Sequence, residues 1–302
     1  MINYKELLDK NDLKLEKVTI KKNACIVLTS LGQFVFKENT GIKIYDYLLS
    51  RGFDYFPKII DYNDEAIMFE YIDDIEYDVD ERAVDFIKIL SFLHSKTAYF
   101  KDIDIVEYKS IYENIKNNLD NLNGYYNNLV NIIETKEYMS PSEYLLIRNI
   151  SIIFSSINYC YQNLEDWFKT IKDMTKKRVV TLYNNIDLNN LLKSKEKIYL
   201  INFDKTCLDI PIFDLYTFYK KYGNSNDFSS LLKIYENIFP LSEEEKKLLF
   251  TMISIPDKIL INNNVNDIKY VKRSINKIYE TLNVLNSKAE ESTKTHKEEN
   301  DK

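Results

Sequence analysis

The chain has 302 residues, 45% hydrophobic and 29% charged, enough to build a sizeable core in one two-lobed domain or two small ones. Its net charge of -6 comes with lysines and acids interspersed and no basic stripe, which argues against nucleic acid as a partner. Three distant cysteines (Cys25, Cys160, Cys207) and only two histidines argue against a disulfide framework and a histidine-based metal centre. The N-terminal MINYKELLDKND lacks the apolar run of a signal peptide. The most apolar stretch, residues 144–161, is interrupted by Arg148, Asn149, Ser151 and Asn158, so no membrane span is expected and cytoplasmic, reducing conditions fit.

In chain order, residues 17–37 predict three short strands. Val18 and Ile20 alternate with polar residues, residues 24–28 form an apolar run, and residues 34–36 follow a turn at Leu31-Gly32. Residues 41–50 carry Ile44, Tyr47 and Leu48 at helical spacing. Residues 53–60 lead into a fourth strand and 66–72 make a fifth, so the first part is a small mixed lobe. From Asp80 the pattern turns helical: 80–96 with Val84, Ile87, Leu90 and Leu93, then 107–134, then 142–175 introduced by Ser140-Pro141. Residues 179–203 interrupt the helices with two apolar pieces, Leu191-Leu192 and residues 198–201. Helices resume at about 212–222, 227–237, 242–254 and 266–287, the third opened by Ser242 as N-cap with Glu245 three residues on. Residues 291–302 lack apolar anchors and are expected to be disordered.

The chemistry-bearing residues fall at fixed offsets. Lys37 closes the third strand in Gly-Gln-Phe-Val-Phe-Lys. Met68-Phe69-Glu70-Tyr71-Ile72 ends the fifth. Then come Val-Val-Thr-Leu-Tyr183-Asn-Asn185-Ile-Asp187-Leu-Asn-Asn190-Leu-Leu, Ile-Tyr-Leu-Ile-Asn202-Phe-Asp204, and Asp209-Ile-Pro211-Ile-Phe-Asp214-Leu. This order resembles the protein-kinase-like fold of aminoglycoside phosphotransferases and CotS-type spore coat proteins, over about residues 15–290. The resemblance implies an α+β, two-lobed fold, with a small mixed β-sheet lobe at 1–74 and a mainly helical large lobe at 75–290. The large lobe would hold a catalytic-loop-like segment at 179–204.

The same resemblance assigns roles. Lys37 would face nucleotide phosphates, and backbone groups of Glu70 and Ile72 would meet an adenine. Asn190 would sit at a metal-ligand position, and Asp214 would brace the catalytic-loop backbone. Where the family has its catalytic aspartate this chain has Asn185, where it has its Mg²⁺ aspartate this chain has Asn202, and its loop histidine is Tyr183. The helix after Lys37 offers Asp46 and no glutamate as ion-pair partner. His94 matches a helix-ending histidine outside the chemistry, expected to bond last-turn carbonyls.

A neutral amide is no general base, and loss of the base costs on the order of 10²–10⁴ in rate. Mg²⁺ prefers carboxylates, and the glycine-free residues 21–26 cannot cradle phosphates as a glycine-rich loop does. The leading expectation is therefore a pseudokinase: a binding or scaffold module with a doubtful Mg²⁺ site and a coat or other protein partner, in one version still binding ATP through Lys37 and the hinge and in another, purely structural one, binding no nucleotide. Its location would be the cytoplasm or the spore coat. The alternative is an active ATP-dependent small-molecule phosphotransferase in which Asp187 or Asp204 replaces the missing carboxylates.

Overall fold

The computed structural model describes residues 4–21, 24–223, 225–262 and 266–300, with side chains as far as residue 286. The elements in chain order are α1 (Lys5–Lys10), β1 (Leu15–Lys21), β2 (Ala24–Thr29), β3 (Gly32–Glu38), α2 (Ile42–Ser50), β4 (Ile59–Tyr62), β5 (Ala66–Glu70), α3 (Val79–Thr97) and β6 (Tyr99–Asp102). Then follow α4 (Ile105–Glu134), α5 (Pro141–Arg148), α6 (Ile150–Lys172), β7 (Lys176–Leu182), β8 (Leu191–Lys193), β9 (Ile198–Leu200) and β10 (Cys207–Asp209). The chain closes with α7 (Ile212–Tyr222), α8 (Phe228–Ile238), α9 (Glu243–Ser254) and α10 (Asp267–Asn300). Two compact units result, one of Met1–Ala98, Val180–Asp209 and Ile234–Phe239, the other of Tyr99–Val179, Ile210–Lys233 and Pro240–Lys302.

In the first unit, five antiparallel strands stand in the order β1-β2-β3-β5-β4. Side chains alternate across a strand, and here the alternation sorts two functions. Cys25, Val27, Phe36, Ala66 and Met68 point to one face, where Leu7, Leu8 and Leu13 cover them. Ala24, Ile26, Val35, Lys37 and Phe69 point to the other face and line a cavity. Register ties them together: Val35 pairs with Phe69 and Lys37 with Ile67. A slip by one residue would send Lys37 into the leucine layer. The short α1, absent from the sequence-based expectation, supplies that layer.

Four expectations need adjusting. On α2 the buried residues are Tyr45 and Leu48, not the Ile44–Tyr47–Leu48 stripe, and Asp46 is exposed. The single helix expected over 142–175 is two, α5 and α6, broken at Asn149, whose side chain donates to the Leu145 carbonyl at 2.8 Å. His94 is fully buried and its Nδ1 lies 2.6 Å from the Tyr235 hydroxyl. His94 lies in the last turn of α3, and this nitrogen faces Tyr235 of α8. Finally, α10 continues as helix to Asn300 through the segment expected to be disordered. Its Glu and Lys content favours helical backbone even without an apolar face.

The second unit is helical. Ile153, Ile157, Cys160, Leu164, Trp167 and Ile171 bury one stripe of α6, and Leu248, Leu249 and Ile253 do so on α9. The Ser156 hydroxyl donates to the Ser254 carbonyl at 2.6 Å. Residues 176–179 of β7 pair with β6 in this unit, while residues 180–182 pair with β10 in the first. Among the described residues no helix is long and apolar enough to cross a membrane.

Candidate functional site

The segment between β7 and β10 is built from tight turns in which asparagine replaces glycine. Asn184 (φ 55°) and Asn202 (φ 66°) adopt the left-handed conformation that asparagine and aspartate tolerate better than most residues. The left-handed turn at Asn202 reverses the chain so that its side chain faces Lys37 while Phe203 turns inward. Phe203 is 2% exposed and meets the rings of Tyr45, Phe53, Phe56 and Tyr183 edge-on. Tyr183 donates its hydroxyl hydrogen bond to the Ile201 carbonyl, fixing the residue just before Asn202.

On this anchored backbone four side chains form a continuous network. The Lys37 ammonium donates to Oδ1 of Asn202. Nδ2 of Asn202 donates to Oδ1 of Asn190 at 2.6 Å. Nδ2 of Asn190 donates to the Asn185 carbonyl at 2.8 Å. Nδ2 of Asn185 returns to the Asn202 carbonyl at 3.1 Å. The side-chain oxygens of Asn202 and Asn190 each accept one hydrogen bond within the network.

That arrangement bears directly on the metal the fold implies. Two ligands of one Mg²⁺ must both turn oxygens towards it, whereas here one amide donates its N–H to the other's oxygen. Among the described residues no group of three or more His, Cys, Asp or Glu could hold a metal ion. The donor set does not fit a divalent cation.

Lys37 borders two cavities. The larger, about 510 Å³, runs from Lys21 and Ala24 past Val35 and Phe69 to Glu70, Tyr71 and Ile72, with Leu192, Leu200 and Ile201 on the opposite side. Its volume and largely apolar lining are those of a small-molecule site. Of the glycine-free segment 21–26, residues 22 and 23 lie outside the described residues. The smaller cavity, about 210 Å³, holds Glu38, Thr40, Tyr45, Asp204 and Thr206 around the same lysine. Burial pushes the Lys37 ammonium down from 10.5 to about 8, and the Asp204 carboxylate partly opposes this. Burial, and Asp204 after it, push the Tyr45 hydroxyl up, against the Phe203 N–H.

At the expected hinge, Glu70 accepts the Lys58 N–H through its carboxylate at 2.8 Å and donates its own N–H to the Lys58 carbonyl at 2.9 Å. The Glu70 N–H is therefore taken. Ile72 makes no backbone hydrogen bond among the described residues. Just beyond, Asp74 holds the chain. It accepts from Arg82 at 3.0 Å and from the Lys193 N–H at 2.8 Å, while Arg82 also donates to the Leu191 carbonyl at 3.2 Å.

Of the two candidate replacement carboxylates, Asp187 caps the 3-10 turn Leu188–Asn190 by accepting the Asn189 N–H at 2.9 Å. Asp204 is exposed, lines the smaller cavity and makes no side-chain hydrogen bond among the described residues. Asp214 is fully buried in the first turn of α7, in the second unit.

Three residues escaped the sequence reading. Tyr45 stands in the helix where an acidic partner for Lys37 was sought, Phe203 anchors the turn, and Asp74 ties the hinge down. An aromatic at i and an apolar residue at i+3 was the only signal for Tyr45, and it competed with the equally spaced Ile44–Tyr47 pair.

Among solved structures, the chain is similar to an aminoglycoside phosphotransferase from Alicyclobacillus acidocaldarius subsp. acidocaldarius DSM 446, with a TM-score of 0.62 and 10% identity over 92% of each chain. Weaker likenesses are to an AMP-bound spectinomycin phosphotransferase (TM-score 0.49, 14% identity, 92% of this chain and 97% of that one) and to a Plasmodium vivax ethanolamine kinase (0.42, 14%, 92% and 84%). The first carries the argument. Its likeness, together with the small antiparallel sheet and the mostly helical remainder, defines the α+β protein-kinase-like fold of aminoglycoside phosphotransferases. No protein-family model and no curated protein matches the chain.

Proposed function

We propose that the protein is a nucleotide-binding module of kinase fold that does not transfer phosphoryl groups. The observation that supports this best is the closed network of Lys37, Asn202, Asn190 and Asn185 beside an apolar cavity of about 510 Å³. The cavity with its hinge is suited to a purine. The amides beside it provide no proton acceptor for a substrate hydroxyl and no anionic metal ligand. Binding without turnover is the behaviour of a sensor or scaffold, and a protein partner, a spore-coat component among them, is the class of interaction such a module serves.

A second reading has one observation in its favour. Asp204 lies at the smaller cavity beside Lys37 with its carboxylate unbonded, so it is available as a base or ligand. Asp187, already capping a turn, is less so. A thermal-shift titration with purine nucleotides, with and without Mg²⁺ or Mn²⁺, separates the readings. Stabilisation that needs no metal supports the binding module. Stabilisation that appears only with metal supports the phosphotransferase. No stabilisation by any purine nucleotide contradicts both and leaves a scaffold without a ligand.

A further inference from the structure

We infer that the cavity takes a nucleotide of low charge, a nucleoside monophosphate, as the free anion without a divalent cation. The inference rests on the nucleotide-binding reading and goes beyond it by naming which phosphate state is held and what neutralises it. A phosphomonoester carries about two negative charges at neutral pH, and each further phosphate adds more. Kinase-fold enzymes relieve that charge with metal ions and a run of loop N–H groups. The sequence of residues 21–26 contains no glycine, and among the described residues no group of three or more His, Cys, Asp or Glu could hold a metal ion. The oxygens of Asn190 and Asn202 are occupied by an amide N–H and the Lys37 ammonium.

Among the described residues that line the cavity, the positive charge comes from Lys37 and Lys21, while Glu70, Asp73 and Asp74 share its lining. Asp74 is offset by Arg82. Asp204 waits on the far side of Lys37, in the smaller cavity. One phosphate group can replace the Asn202 oxygen as acceptor for Lys37 and be neutralised by the two lysines. A triphosphate brings charge that none of the described residues lining either cavity offsets and that the flanking carboxylates repel. Lys37 and Lys21 thus take the electrostatic role of the cation, and their two charges suit a single phosphomonoester.

The test is calorimetric titration of the full chain with adenosine, AMP, ADP and ATP, and with the guanosine series, each in EDTA and in millimolar Mg²⁺. In EDTA the expected order is AMP above ADP above ATP, with AMP at least about tenfold tighter than both ATP and adenosine. Mg²⁺ should leave AMP affinity within about twofold. Lys37→Met should reduce AMP binding to the adenosine level, while Lys37→Arg, which keeps the charge, should retain it. Asn202→Asp keeps a residue that tolerates the left-handed turn and should weaken AMP in EDTA while making ATP binding respond to Mg²⁺. Tightest binding of ATP with Mg²⁺ by the unaltered chain overturns the inference and leaves nucleotide binding intact, as does AMP no tighter than adenosine. Failure of every purine ligand in both media overturns the inference and the nucleotide-binding reading together.

Discussion

Asn202 and an aspartate at the same place would have almost identical shape, yet they would choose opposite partners. The amide presents one donor and one acceptor, and both are used, towards Asn190 and from Lys37. A carboxylate would accept from Lys37 and repel nothing on that side, but it would face the Asn190 oxygen without a proton. Asn202→Asp is therefore expected to lose the Asn190 contact and gain affinity for Mg²⁺, measured as a Mg²⁺-dependent thermal shift with ATP that the unaltered chain lacks. Asn185→Asp alone should change nucleotide affinity little, because its role would lie in the chemical step.

Lys37 carries a pH prediction. Its neighbours are the neutral Asn202 amide, Tyr45, Glu38 and Asp204 at the smaller cavity, and Lys21, Glu70, Asp73 and Asp74 at the larger. Burial outweighs the Asp204 carboxylate and holds the ammonium near 8, below the 10.5 of a free lysine. The unfolded chain then binds more protons than the folded one between those values. The cost of burying the charge is present in full below about pH 8, and stability rises as pH increases through that window. Lys37→Met should raise the Tm of the ligand-free chain at pH 7 by about 3 °C, and its advantage should shrink above pH 8. A lower Tm at pH 7 would mean that the Asn202 bond outweighs burial. Ligand affinity should move the other way in the unaltered chain, falling as pH rises through about 8.

At the scale of elements, the strands were legible from the alternation of Val18 and Ile20 in β1 and from short apolar runs in β2, β3 and β5. The resemblance, and not the alternation, assigned Lys37 its nucleotide-facing role; Lys37 lines the cavity. The site's asparagines were singled out by the family resemblance, at the offsets of its motifs. Their mutual hydrogen bonds were not, because no local pattern says which way an amide turns. The break between α5 and α6 was missed since both halves share one apolar character, and Asn149 resembles an ordinary polar-face residue until its capping contact is seen.

The Asp74 clamp was missed for a related reason: it joins residues 74 and 82 to 191 and 193, more than a hundred positions away. Asp74→Ala should leave the Lys193 N–H and the Arg82 guanidinium short of an acceptor. We expect a loss of about 1–2 kcal/mol in urea denaturation, since the pair is partly exposed. Asp74→Asn, which still accepts from Lys193, should lose about half of that. Equal stability of all three proteins would show that the clamp carries no weight.

For the whole molecule, the terminal helix separates backbone order from domain stability. Ile278, Thr281 and Val284 are buried on α10 and should be required. The polar sequence after residue 285 offers no apolar stripe. Truncation after Leu285 should change the Tm by less than about 1 °C, whereas truncation after Lys277 should lower it by several degrees. A large fall from the first truncation would show that the tail packs on the domain. The fold class itself was readable from the order of strands, helices and turns, and the likeness to a solved structure holds at 10% identity.

The central claim is that this fold holds a ligand without chemistry because Asn185 and Asn202 stand where carboxylates would act. Its most direct test is single-turnover hydrolysis or transfer from radiolabelled ATP, with Mg²⁺, Mn²⁺ or no metal, for the unaltered chain, Asp187→Asn, Asp204→Asn and the Asn185→Asp/Asn202→Asp pair. The account predicts no turnover above a denatured control for the first three, and weak turnover at most for the pair. Robust turnover by the unaltered chain that disappears in Asp187→Asn or Asp204→Asn would contradict it and make the protein a phosphotransferase with a relocated carboxylate.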